Sequence, residues 1–153
     1  MASGWFPTAL LRMGAPGTLG SGSSDAIDLV DDAIYAALID TSVADYNAAN
    51  TFYSSYTAAL IGTPVALTSK ALTISGGTPV FDAADVTFSS VAAGKTIGAV
   101  LLFKQTGLGA GTCPNVAWLR ADALAGLPAS TNGQDVNLLW AVSGILTLGG
   151  LAS

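Results

Sequence analysis

Residues 131–148 read TNGQDVNLLWAVSGILTL, a turn signal and one aspartate followed by thirteen residues without a charge. A membrane anchor, a buried helix and paired strands can all begin from such a run, and the choice decides the fold. A spanning helix needs about 20 predominantly apolar residues, whereas Asn137, Ser143, Gly144 and Thr147 interrupt this stretch. Asn132-Gly133 is a favoured two-residue turn pair, which starts a strand near Gln134. Side chains alternate along a strand, so Val136, Leu138, Trp140 and Val142 share one face and Asn137, Leu139, Ala141 and Ser143 the other. Ser143-Gly144 supplies a second turn and predicts a terminal hairpin with Ala141 opposite Leu146 and Leu139 opposite Leu148. Both faces of that hairpin are apolar, so it sits between two layers or at the boundary of a subunit.

Working outward, other segments carry the same strand-and-turn signals. In DDAIYAALIDTS, Ile34, Ala36 and Leu38 alternate with Tyr35, Ala37 and Ile39, giving a strand apolar on both faces, with a helix as the rival reading. TIGAVLLFKQ puts Ile97, Ala99, Leu101 and Phe103 on one face and Val100 and Leu102 on the other. PVALTSKALTI, the turn SGGTP, the corner DAAD and VTFSSV continue the pattern, while ADYNAANTFYSSYTAAL reads as a loop with one helical turn. Short strands at close spacing predict an all-β fold, an antiparallel sandwich or barrel-like domain. Ahead of it, GAPGTLGSGSS (14–24) reads as a linker. The expected division is therefore 1–24, an N-terminal extended arm or short helix plus linker, and 25–153, a single β-rich domain. Deletion of 1–24 is then expected to leave that domain folded.

Composition narrows the function. Apolar residues make up 51% of the 153-residue chain and charged residues 10%, against about 25% charged in ordinary soluble domains. So little charge leaves a surface that partners are expected to cover. All ten acidic residues are Asp, which suits turns, and the five cations are scattered. A net charge of -5 argues against a nucleic-acid surface, which needs clustered Lys and Arg. No polybasic membrane patch is present, and MASGWFPTALLRM, with an arginine inside its apolar stretch, is a poor signal peptide.

Chemistry is scarce. Without histidine there is no Ser-His-Asp or Cys-His arrangement, and with Cys113 as the one cysteine no Cys/His zinc site. Asp82 and Asp85 read as caps of a tight corner rather than as an acid-base pair. Asp25, Asp28, Asp31 and Asp32 lack the ligand spacing of a calcium loop and read as a solvated turn. TGLGAGT lacks the Lys-Ser/Thr of a phosphate loop, and Cys113 reads as an inert thiol. Neither catalytic residues, cofactor nor metal is therefore expected. The candidate contacts are apolar: Trp5, Phe6, Phe52, Tyr53 and Tyr56, with core filling as their competing role, and Leu139, Ala141, Leu146 and Leu148 on the closing strands.

Taken in order, AIYAALIDTS, VFDAADVTFSSV, IGAVLLFKQTG and GLPASTNGQDVNLLWAVSGILTL, spanning about residues 33–148, resemble a family of small structural proteins of tailed bacteriophages. Its members read "ALVDT", "VFDADDVTF", "ALVIYKDTG" and "GLPVTPNGGDITV", matching Leu38 to Thr41, Val80 to Phe88, Ala99 to Gly107 and Gly126 to Val136. The resemblance implies a virion component at the capsid surface, a cement or decoration protein bound to the major capsid protein. It is expected to be a homo-oligomer, with a trimer as one arrangement, touching neither nucleic acid nor membrane. A connector or tail ring is the structural alternative, and a virion-surface carbohydrate-binding or hydrolytic module the alternative of another class. The longer Gly/Ser-rich N-terminal region and the loop LGAGTCPNVAW depart from the family pattern.

Overall fold

The structure, a computed structural model, describes residues 3–14, 26–124, 126, 127 and 129–147. It is an all-β fold of antiparallel sheets, and no closed barrel forms among the described residues. The largest sheet has five strands in the order β1 (Gly4–Trp5), β9 (Asn115–Arg120), β8 (Ala99–Lys104), β2 (Ile34–Ile39) and β3 (Leu60–Ala66). Its inner strands are the two-faced apolar runs of the sequence, and nearly every side chain of β2, β8 and β9 is buried. Such strands are stable only when both faces are covered.

The register shows what covers them. Tyr35 pairs with Phe103, and Ala37 with Leu101, which in turn pairs with Trp118, so these side chains share one face. Over that face lie Tyr46 and a 3-10 helix, Tyr53–Ala59: the Tyr53 ring stacks on Phe103 at 4.0 Å, and Tyr56 and Tyr46 lie 5.2 and 6.1 Å from Trp118. Phe6 completes the cluster, 5.2 Å from Tyr46 and 6.3 Å from Tyr56. Trp5, paired with Ala117, lies on the opposite face, where it meets Phe81 at 6.4 Å. Phe81 belongs to β5 (Thr78–Asp82), the middle of a three-stranded sheet with β4 (Ala71–Ser75) and β12 (Leu146–Thr147). Two short ladders join the same core, β6 (Val86–Phe88) with β11 (Val136–Leu138) and β7 (Thr96–Ile97) with β10 (Ala129–Ser130).

The N-terminal segment is both extended and helical, and it belongs to the fold. Arg120 N–H donates to Ser3 Oγ at 2.9 Å, β1 pairs with β9, and Phe6 N–H donates to the Val116 carbonyl at 3.0 Å. Helix α1 (Pro7–Gly14) then begins with proline, whose fixed φ suits a first helical position, and carries Arg12 in its last turn, where a cation complements the helix dipole. Phe6 and Ala9 are fully buried. The expected separation of 1–24 from the domain is therefore corrected for residues 3–14. Linker residues 15–24 lie outside the described residues.

The closing hairpin also differs from expectation. Leu138 and Trp140 point inward as predicted, yet β11 pairs with β6 and β12 with β5, so Ala141 does not face Leu146. The cause is competition for the backbone. Trp140 N–H is taken by Asp85 Oδ1 at 2.8 Å and Ile145 N–H by the Phe81 carbonyl at 2.8 Å. Between them the chain turns, with Gly144 N–H donating to the Ala141 carbonyl and Gly144 at φ +100°. Likewise Asn132-Gly133 joins β10 to β11, strands with different partners, and Asn132 Oδ1 accepts the Gln134 amide at 3.1 Å. Among the described residues no helix is long and apolar enough to cross a membrane.

Candidate functional site

The acidic pairs of the sequence are engaged with backbone. Asp82 Oδ1 accepts from the Ala83 amide at 2.9 Å, whereas Asp85 reaches across the chain to Trp140. The two carboxylates cap different amides, as Asp at a strand corner is suited to do. Asp85→Ala is expected to cost about 1 kcal/mol by stranding the Trp140 N–H, and Asp85→Asn less, because an acceptor remains. Urea melts of the two variants, read by tryptophan fluorescence, check the order.

In the Asp cluster, Asp28 Oδ1 accepts from Val30 and Asp31 amides at 2.9 and 3.0 Å, and Asp32 Oδ2 accepts from Asp28 N–H at 2.8 Å. The Asp31 and Val30 amides hold the Asp28 carboxyl below its ordinary range, ahead of the weaker pull of Lys104 and Lys70. Lys104, a half-buried cation at the end of β8, bridges Asp32 at 2.9 Å and the Ala26 carbonyl at 2.6 Å. This network ties the turn to the central sheet. Asp25 lies outside the described residues, and among those described no group of three or more His, Cys, Asp and Glu is placed to hold a metal ion. Cys113 is buried, its thiol donating to Gln105 Oε1 at 3.1 Å. Burial, and then the adjacent Cys113, raise the pKa of the Tyr53 phenol.

The apolar candidates divide. Phe6, Tyr53 and Tyr56, expected among the contacts, are buried in this chain's own core, which corrects their reading as interface residues. Large rings at a sheet face are what cover β2, β8 and β9, so no surface remains on them for a partner. Trp5 is half-buried, its indole N–H donating to the Thr147 carbonyl at 2.8 Å, and half-buried Phe52 carries the Arg12 guanidinium 5.0 Å from its ring centre. Leu146 is half-buried against the core, and Leu148 lies outside the described residues. Leu139 and Ala141 lie on the face away from Trp140 and are exposed, so among the described residues no second sheet of this chain covers them.

With fully exposed Val142, those two residues line a groove of about 480 Å³ completed by Leu124, Trp140 and Ile145. Trp140 forms its floor, fixed by its indole N–H to the Ala84 carbonyl at 3.0 Å. An aliphatic rim over a held aromatic floor can bury an apolar partner surface, and it carries no group suited to bond making. Sequence reasoning missed further exposed aliphatics, among them Leu10 and Leu11 on α1, Leu72 and Ile74 on β4 and Leu108 in the Gly-rich loop. For Leu72 and Ile74 the sequence signal was the alternation Leu72-Thr73-Ile74, and among the described residues β4 has no neighbour on its outer side. Comparison of the chain with protein-family models, curated proteins and solved structures gave no match in any of the three.

Proposed function

We propose that this chain is a structural protein of a bacteriophage virion, a cement or decoration protein that binds the lattice of the major capsid protein. The observation that carries the reading is an aliphatic outer surface on a charge-poor β domain: Leu10, Leu11, Leu139 and Val142 are exposed on a chain with 10% charged residues. A side chain as open as Val142 gains most from burial against another protein. Support also comes from the ordered resemblance over Leu38 to Val136, whose segments fall on β2, the β5–β6 corner, β8 and β10–β11. Capsid surface is the location this implies, and a homo-oligomer seated on the lattice the form.

Purified particles should contain the chain in fixed stoichiometry with the major capsid protein. Leu139→Lys with Val142→Lys should leave the melting curve of the free protein unchanged and lower its occupancy on particles about tenfold or more. Wild-type chain found at a ring's copy number would replace the lattice reading with the connector alternative, and its absence from particles would overturn both.

A further inference from the structure

We propose that Asn132 is a self-modification site: the amide nitrogen of Gly133 displaces ammonia from its side chain, and hydrolysis then leaves an aspartate in the turn between β10 and β11. Of the five asparagines in the chain, Asn132 alone is followed by glycine; Asn47, Asn50, Asn115 and Asn137 precede Ala, Thr, Val and Leu. A side chain on the following residue crowds the attacking nitrogen, and glycine has none. No aspartate precedes glycine either, so the chemistry is confined to one position.

The fold leaves that pair open. Asn132 and Gly133 are exposed, Gly133 lies at φ +86°, and a Cβ built on it would meet nothing within 4 Å. Among the described residues no hydrogen bond holds the Gly133 N–H, so solvent base reaches it. Asn132 Oδ1 accepts the Gln134 N–H at 3.1 Å, and the ring that this bond closes contains the Gly133 nitrogen. The side-chain amide is thereby folded back along the peptide whose nitrogen attacks it, and the same donor stabilises the negative charge that builds on Oδ1. Asn47 is a comparison within the chain: its Oδ1 accepts the Ala49 N–H at 2.9 Å in the same manner, but Ala48 follows it. Asn115 is fully buried with its Nδ2 donating to the Asn50 carbonyl, and Asn137 Oδ1 accepts from the Thr87 hydroxyl at 2.8 Å.

The reaction balances with water alone. Hydroxide takes the Gly133 amide proton, the nitrogen pair forms a bond to Asn132 Cγ, and the Cγ–Nδ2 bond breaks, the nitrogen leaving as ammonia on a proton from water. Water then opens the five-membered imide. Cleavage between the Gly133 nitrogen and Asn132 Cγ gives aspartate; cleavage between that nitrogen and the backbone carbonyl carbon of Asn132 gives isoaspartate, whose main chain is one atom longer. The flanks select between these products. Buried Thr131 donates its N–H to the Lys95 carbonyl at 2.8 Å and its hydroxyl to the Ala92 carbonyl at 2.6 Å, and the Gln134 carbonyl accepts the Val91 N–H at 3.1 Å. A lengthened main chain must buckle between these anchors, whereas aspartate keeps the length and an oxygen for the Gln134 N–H. Aspartate is therefore the main product, and it adds one negative charge to a chain already at -5. The inference stands apart from the virion reading: its test uses the free chain and no particle, so either can fail alone.

The full chain is incubated for weeks at neutral pH and physiological temperature, beside the peptide Ac-Thr-Asn-Gly-Gln-NH2, and compared with chain taken at the start. Trypsin, cutting after Arg120, leaves Asn132 and Asn137 in one fragment, and tandem mass spectrometry should place the new acid at 132 and neither at 137 nor at 47. The native chain should convert no more than about tenfold slower than the peptide, and Asn132→Ser, which keeps an exposed acceptor, should lower ammonia release at least about tenfold. An isoaspartate-specific methyltransferase should label a smaller share of the product from the native chain than of that from the peptide. Slower conversion than this, equal conversion at Asn47, undiminished ammonia release from Asn132→Ser, or an isoaspartate share matching that of the peptide each overturns the proposal.

Discussion

A chain lacking residues 1–14 should fail to fold at room temperature, and Phe6→Ala alone should lower stability by about 3–5 kcal/mol. Phe6 is fully buried between Tyr46 and Tyr56, the two rings that cover Trp118. Removing it opens a cavity over the aromatic face of the central sheet. Deleting the whole segment adds the loss of buried Ala9, of the β1 pairing that shields the edge of β9, and of the Trp5 hydrogen bond to Thr147. A domain of this size has about 5–15 kcal/mol in total, so the sum approaches all of it. At about 2–4 °C per kcal/mol, the Phe6→Ala melt should fall by about 10 °C. Circular dichroism melts of the two variants decide the matter. A truncated chain melting near the full-length temperature would restore the separable arm that the Gly/Ser-rich stretch suggests.

That stretch shows where sequence reasoning reaches its limit. Gly, Ser and Pro between 14 and 24 mark a break in regular structure, but a break in the chain says nothing about what the flanking residues touch. Strands β2 and β8 were readable because two-faced apolar runs have few other stable homes. The DAAD corner was readable because Asp finds backbone amides in turns. Partner choice was not readable. The alternation that runs through Leu138 and Trp140 is the same for a hairpin and for a strand that changes neighbours, and only the claims of Asp85 and Phe81 on the closing segment distinguish them. That Leu139 and Ala141 lie away from the Trp140 face followed from that alternation, but not that they are left uncovered by this chain's described residues. The alternation failed at Val142, where the turn to Gly144 reverses the chain. For Phe6, Tyr53 and Tyr56, ring size alone could not separate core from contact.

A single added methyl group is expected to cost substantial stability at Gly98, between β7 and β8. Its N–H donates to the Ile39 carbonyl at 2.9 Å, and its own carbonyl accepts from Ala121 N–H at 3.1 Å. The backbone is held from both sides. A Cβ built there meets the Thr41 side chain, with Cγ2 at 2.8 Å and Cβ at 2.9 Å, besides a closer approach to Oγ1. Rotating Thr41 moves Oγ1 and Cγ2 but leaves its Cβ in place, so relief requires the backbone after β2 or before β8 to shift. Gly98→Ala should therefore cost about 1–3 kcal/mol, the range for forced overpacking. The same methyl should cost much less in a Thr41→Gly background, which has no Cβ to strike. A double-mutant cycle read by urea denaturation should give a coupling of about 1 kcal/mol or more that favours the pair. Additive effects would show that the cost of the added methyl arises elsewhere. Ile39 and Thr41 lie in the IDT of the first resembling segment and Gly98 beside the AVLLFK of a later one, so the cycle would measure directly how two motifs remote in sequence constrain each other in space.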